Sequence, residues 1–383
     1  MIKGKYRITY GDVVIEKENV ITNNGILMMN KFLTGNAIDW AGSIALGVLS
    51  KNTPSATQTS LDYEVARYPV TLKSFKQISS GSNQIILKTT IDPSVSISIY
   101  ELGVFPINII QSSQKDQVVF SNFSESISAS SSAWRNASGY ISGANYITAS
   151  TAIYPASRFG TANILLQSGS TAYITQSFDI TNYNSKDSLN LLYYTSSSIA
   201  SQSATVSFAD TNNLVWSNSG SITSAASGWN TLSITLSGSK PAKFNGYVSS
   251  ASIALGSGSN VLALETLKFV SGESKTPEYL MTSRTTFTYN STSYSQSGNT
   301  ITFRVPSTTG MSAGNLVTVS GASAASGSSV NSTYLIKAIS SASAFTVTSP
   351  LSQTASGTGG VLSMGIVKSS GQPMDIEYYI QVT

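Results

Sequence analysis

Short runs of alternating apolar and polar residues dominate this chain, at intervals of about ten residues, and that rhythm predicts strands. Tyr6, Ile8 and Tyr10 alternate with Arg7 and Thr9. Gly11 and Asp12 then turn the chain into Val13, Val14 and Ile15, so an opening hairpin is expected. One early segment breaks the two-residue period. Ile26, Met29, Phe32 and Leu33 recur at helical spacing, Thr22, Asn23 and Asn24 offer N-cap oxygens, and Gly35 can end a helix in the left-handed region. The face formed by Ile26, Met29 and Leu33 is expected to be core. Strands are expected again at 43–48, 70–72, 85–87 and 95–99, the last alternating against Ser and running into Tyr100, Glu101, Leu102, Gly103, Val104 and Phe105.

After residue 105 the pattern changes to a long tract rich in Ser, Ala, Thr and Asn. Within 111–274, alternating stretches at 173–178, 189–193, 204–208, 228–236 and 264–269 predict a β-sandwich. A shorter tract, 293–361, carries at least four candidate strands, at 300–305, 316–319, 334–338 and 345–348, and reads as a small β-barrel. Strand patterns matching the first hundred residues return at 279–287 and 374–382. The expected layout is therefore mainly β with one short helix: a discontinuous base domain (1–110, 275–292 and 362–383), an inserted jelly roll (111–274) and an inserted small barrel (293–361). In this layout the segments 100–105, 279–287 and 374–382 share one sheet.

Composition narrows the chemistry. Of 383 residues only 10% are charged, with a net charge of +4, while 19 Tyr, 13 Phe and 4 Trp supply bulk for several small cores. Low charge with regular apolar alternation argues for folded β-structure over disorder. Cys and His are both absent. That removes disulfides, Ser-His and Cys-His nucleophile pairs and the usual zinc ligands. No apolar run is long enough to span a bilayer and none near residue 1 reads as a signal peptide, so neither membrane insertion nor classical export is expected. Residues 111–274 hold seven basic and seven acidic side chains, without the local excess of Lys and Arg that phosphate backbones require. Nucleic acid is not an expected partner. Lys275 and Thr276 lack the preceding Gly spacing of a phosphate loop. No cofactor is implied, and no run of ligands supports a metal.

Asn24-Gly25-Ile26, Leu46-Gly47, Thr53-Pro54, Leu61 with Glu64 and Arg67, and Glu101 with Gly103, Val104 and Phe105 form an ordered set that resembles the base domains of bacteriophage tail and collar fibres. Val48-Leu49 departs from the Thr-Gly pair such proteins often carry. The order Gln176-Ser177-Phe178, Gly228-Trp229 and a closing strand at 264–269 is similar to galactose-binding-like jelly rolls among carbohydrate-binding modules. Glu265-Thr266 stands where that family often has Asp-Asn, which puts any calcium site there in doubt. The resemblance implies a virion-located protein that contacts other tail, neck or capsid proteins, assembles as a homo-oligomer (a trimer) and binds a host surface glycan. A decoration protein that uses the jelly roll as a spacer, or a capsule depolymerase, would share the same layout.

Neutral sugars are held by aromatic faces and by amides and hydroxyls. Trp134 and Trp216, flanked by Ser and Asn, and Tyr140 and Tyr146, either side of Gly143, are the candidate carbohydrate-binding residues. Trp229 opens an alternating strand and is read as packing. Glu64, Arg67 and Glu101 are read as charge-assisted contacts that fix helix and loop to the sheet, with Gly103 as a structural glycine. Glycoside cleavage needs two carboxylates about 5–9.5 Å apart. Residues 293–361 contain no acid and those in 111–274 are scattered, so the expected role is non-enzymatic.

Overall fold

The computed structural model describes residues 2–37, 39–79, 82–106, 117–121, 135–136, 139–140, 146–147, 157–160, 163–308, 311 and 313–382; between 135 and 147 only the backbone is described. The protein is mainly β, with one α-helix, Asn23–Leu33, among the described residues. It divides into two compact units, Met1–Ser113 with Lys275–Thr383, and Gln114–Ser274.

Among the described residues the first unit holds three sheets. One has the strand order Val13–Glu18, Ile2–Tyr10, Met374–Val382, Ser82–Ile91 and Leu72–Ser79, antiparallel throughout. Tyr6, Ile8, Ile376, Tyr378 and Leu87 are buried on its inner face. On the outer face Glu16, Arg7, Glu377 and Lys88 lie opposite one another in register, alternating in sign across four strands. A second sheet runs Val20–Ile21, Ser283–Thr286, Glu101–Phe105, Ser43–Gly47 and Glu64–Pro69. Its two strands Ser43–Gly47 and Glu101–Phe105 are buried at every position, which is why they read as near-continuous apolar runs. Tyr6 and Ser283 link these two sheets through a 3.1 Å hydroxyl contact. In the third sheet, Ser293–Arg304, Leu316–Ser320, Thr333–Ser341 and Ala344–Thr358 join Thr288–Asn290 and Val361–Lys368, and Ile97–Ile99 pairs the last of these. Tyr294, Tyr334 and Phe345 pack around Phe303.

The expected common sheet is half right. Ser283–Thr286 does pair Glu101–Phe105, with Ser283 opposite Val104 and Thr286 opposite Glu101. Met374–Val382 instead joins the first sheet, between Ile2–Tyr10 and Ser82–Ile91. The reason is its pattern. Met374, Ile376, Tyr378 and Ile380 are buried while Asp375, Glu377 and Tyr379 are not, and a strand with one charged face has no place between strands buried on both sides.

The helix presents a different side from the one its apolar spacing suggests. Asn24, Gly25 and Met28 face inward, whereas Ile26 is 52% and Leu33 75% exposed. Polar anchors decide the rotation. Thr22 Oγ1 accepts from Gly25 N at 3.0 Å and donates to Met281 O at 2.7 Å. Asn24 Nδ2 donates to Pro277 O and Leu280 O, both at 2.9 Å. Gly25 then approaches so closely that a Cβ there would lie 2.1 Å from Thr282 O. In an exposed helix Gly→Ala gains about 1 kcal/mol. Here Gly25→Ala is expected to lose about 2 kcal/mol, because a backbone carbonyl must move. Urea denaturation reads the sign directly, and a stabilised variant would disprove the close docking.

The second unit is a β-sandwich. One sheet runs Tyr146–Ile147, Asn163–Gln167, Val261–Val270, Ser188–Thr195 and Gly228–Thr235, with Gln117–Ser121 also on Val261–Val270. The other runs Gly139–Tyr140, Arg135–Asn136, Thr171–Asp179, Tyr247–Leu255, Gln202–Asp210 and Val215–Ile222. Leu189, Leu191, Val206, Phe208, Ile253 and Leu264 form part of a single core between them. Phe269 sits within 4.4–6.4 Å of the rings of Tyr183, Phe208, Phe178 and Phe120.

Candidate functional site

Strand Val261–Val270 is central to its sheet, and a bulge in it builds the site. Leu264 lies opposite Tyr193 and Thr266 opposite Leu192, which leaves Glu265 as the extra residue. The bulge switches the alternation. Leu262 and Leu264 before it, and Leu267 and Phe269 after it, all reach the sandwich core, so Thr266 and Lys268 turn to the other face. In register with them on that face are Asn190 and Leu192, and beyond these Ser233, Thr231 and the pair Tyr194 and Trp229.

This second face is polar yet buried. Glu265 and Thr266 are fully buried, and Lys268 and Arg158 are within 2% of it. Glu265 Oε1 accepts from Phe159 N at 2.5 Å, Arg158 N at 2.6 Å and Ser157 Oγ at 3.0 Å. Its Oε2 has no hydrogen-bond partner among the described residues. Burial pushes the Glu265 carboxyl up to about 7, against the opposing pull of the Phe159 amide, the Ser157 hydroxyl and the Arg158 amide. The Arg158 guanidinium lies 4.5 Å over the Trp229 ring. Trp229 meets Tyr194 edge-on at 5.5 Å, and its Nε1 has no partner among the described residues. A carboxylate oxygen, an indole N–H, two aromatic rings and neighbouring amides thus converge on one sheet face. Such a set has the chemistry a polyhydroxylated ring needs, acceptors and donors for its hydroxyls and an aromatic surface for its C–H groups, but it is closed to solvent here, with Tyr194 5% and Trp229 8% exposed.

Trp134 lies outside the described residues. Tyr140 and Tyr146 fall in strands of different sheets, Gly139–Tyr140 and Tyr146–Ile147, and their side chains are likewise outside the described set. Trp216 requires a correction. It is 1% exposed, opposite Phe208 in the core, and its Nε1 donates to Gly238 O at 2.9 Å, so neither ring face can stack on a sugar. Its polar neighbours misled because Ser217 points outward and Asn218, though buried, spends its Oδ1 on Gly238 N at 2.9 Å. Trp229 is buried, but on the polar face, outside the sandwich core.

In the first unit Glu64 and Arg67 form a two-pronged pair at 2.7 and 2.8 Å, with Arg67 3.7 Å over Phe105. Glu101 meets Arg284 and the Tyr63 amide, which ties the loop to the sheet, whereas Glu64 and Arg67 pair within the single strand Glu64–Pro69 and the helix is left to Thr22 and Asn24. Gly103 admits Met281 and Leu61, a Cβ there falling 2.8 Å from Met281 Sδ. Sequence reasoning missed Arg158, Tyr194 and the role of Glu265. The available signal was an acid inside Leu262-Ala263-Leu264-Glu265-Thr266-Leu267, a run otherwise without charge.

No protein-family profile matches the chain, and no curated protein matches it. Among solved structures it is similar to the CBM22-1–GH10 modules of Clostridium thermocellum endo-1,4-β-D-xylanase 10B complexed with xylohexaose, at 13% identity and TM-score 0.27, over 41% of this chain and 29% of that one. It is also similar to the glycoside hydrolase domain of Endo-D from Streptococcus pneumoniae R6, at 12% identity and TM-score 0.19, over 55% of this chain and 34% of that one. The chain spans about a third of the length of each. Neither likeness, at these TM-scores, bears on function.

Proposed function

We propose that the second unit binds a neutral glycan on the sheet face of Glu265, Arg158, Trp229 and Tyr194, and that the chain is a non-enzymatic attachment protein of a bacteriophage particle. The observation that carries the binding reading is Glu265 itself, a buried carboxylate with one oxygen held by two amides and a hydroxyl and the other unpartnered among the described residues. Buried polar atoms without partners are costly, and a sugar hydroxyl donating to Oε2 would remove that cost once the face opened to admit the ring, since Glu265 is fully buried here. The virion role rests on the ordered motifs of the first unit. Binding is favoured over cleavage because three of the other described acids of the sandwich are held in turn contacts and Glu273 is exposed beyond its last strand. Asp179 Oδ1 accepts from Thr181 N, Asp187 from Asn184 N and Gly272 N, and Asp210 from Asn212 N, Leu214 N and Asn245 N. None of these described acids contacts Glu265 to make the acid–base pair of glycoside hydrolysis.

Weak sugar sites become firm attachment when copies act together. Glycan-array binding of the full chain is the test, with Glu265→Gln and Trp229→Ala as variants. Both are expected to weaken binding at least ~10-fold, the cost of one good polar or stacking contact, with far-UV circular dichroism unchanged. An inert wild-type chain would leave the spacer reading, and loss of polysaccharide viscosity would restore the enzymatic one.

A further inference from the structure

The first five-stranded sheet of the Met1–Ser113/Lys275–Thr383 unit ends in two strands that pair with no further described strand, Leu72–Ser79 on one side and Val13–Glu18 on the other, although Thr285 Oγ1 donates to Glu18 O at 2.7 Å and Lys17 Nζ to Thr288 O at 3.4 Å. Strand Leu72–Ser79 is exposed at every position but Ser74. It shows water Leu72 at 49%, Phe75 at 66% and Ile78 at 48%. An unpaired edge with three exposed apolar side chains is a template for pairing, and its two lysines oppose that pairing unless a partner strand neutralises them. The two edges also differ in charge. Leu72–Ser79 holds Lys73 and Lys76 and no acid, while Val13–Glu18 holds Glu16 and Glu18 against one Lys.

We infer that these two edges pair with each other between copies of this chain, head to tail, so that the sheet continues from one copy into the next. The geometry is consistent in three respects. Each neighbouring pair in the sheet is antiparallel, so the two end strands run in the same direction and would meet in parallel. The outer faces match as well. Leu72, Ser74 and Lys76 share a face with Lys88, Ile86 and Gln84, while Val14, Glu16 and Glu18 share it with Thr9, Arg7 and Lys5. The register that sets Lys76 beside Glu18 also sets Leu72 beside Val14, itself 47% exposed. Lys73 already pairs with Asp39 and Glu16 with Lys5; Lys76 and Glu18 form no ion pair among the described residues. A self-paired Leu72–Ser79 edge would instead crowd four lysines. Head-to-tail contact generates a ring when the rotation closes, and a ring would present several glycan sites together. The inference concerns the first unit alone and does not depend on the glycan reading.

Sedimentation equilibrium of the full 40.3 kDa chain tests it, together with Lys76→Glu, Glu18→Lys and the two combined. The wild type is expected to form a closed oligomer. Each single reversal is expected to weaken association at least ~5-fold, as an interfacial like-charge contact does, and the combination to restore it. A monomeric wild type, association indifferent to both reversals, or association strengthened by Lys76→Glu alone would each overturn the inference, the last by favouring self-pairing of Leu72–Ser79. Both positions are exposed, so folding is preserved, and circular dichroism confirms it.

Discussion

Replacing Arg284 with methionine is expected to destabilise the first unit by about 3–5 kcal/mol, the cost of leaving buried charge without its partner. Arg284 is fully buried, and Nε and Nη2 donate to Glu101 Oε2 at 3.0 and 2.6 Å while Nη2 also donates to Asp62 Oδ2 at 2.7 Å. One guanidinium therefore serves two carboxylates. Burial pushes Glu101 up to about 7 even with Arg284 beside it. Asp62 feels burial too, but Arg284 and the Asn52 and Lys51 donors hold it below its ordinary value. Methionine keeps the volume and removes the cation, so Glu101 must bind a proton or stay charged in an apolar site. A carboxyl whose folded pKa lies above its unfolded value loses stability as pH rises through the folded pKa. The deficit of Arg284→Met should accordingly be larger at pH 8 than at pH 5, as read by urea denaturation at both. Arg284→Lys keeps the charge but not the fork, and an intermediate loss is expected. A loss below about 1 kcal/mol for Arg284→Met would mean the cluster is not a buried ion network.

That cluster shows what the sequence discloses and what it withholds. The strand of Glu101, Leu102, Gly103, Val104 and Phe105 is visible because a strand buried on both faces reads as an apolar run, and its partner at 283–286 is visible as a resumed pattern. The alternating strands of the sandwich are visible for the same reason, since a core on one face imposes a period of two. The helix is visible in its spacing and its cap. Its orientation is not, because Thr22 and Asn24 choose it by bonding to residues 277–282, a contact across more than 250 positions that no local pattern encodes. The sandwich site is withheld by a similar rule. Trp216 and Trp229 each sit in an alternating strand, and only the cross-strand register tells that one faces Phe208 in the core and the other faces Tyr194 beside Arg158. The bulge that turns Thr266 and Lys268 outward adds one residue to one strand, and a periodic reading passes over it.

Lowering the pH from 8 to about 5 is expected to stabilise the second unit, by up to about 3 kcal/mol, through Glu265 alone. Its carboxyl titrates near 7 in the folded chain against an ordinary value of 4.5. Between those values the folded state holds a proton that the unfolded state has released, so stability falls as pH rises across this window and levels off above it. The slope belongs to Glu265 if Glu265→Gln removes it, which the difference between variant and wild type in urea denaturation at pH 5, 6, 7 and 8 would show. Glutamine keeps an acceptor for the Phe159 and Arg158 amides and the Ser157 hydroxyl and carries no charge at any pH. The variant is therefore expected to be at least as stable as the wild type at pH 8 and to bind glycan less well. Glu101 shows that a buried acid raised to about 7 also serves structure alone, so the binding assay and not the titration assigns Glu265 to recognition. A variant whose pH slope equals that of the wild type would place the titration elsewhere. One that is flatter in slope yet binds glycan undiminished would separate the buried acid from recognition and leave Trp229 and Tyr194 to carry it.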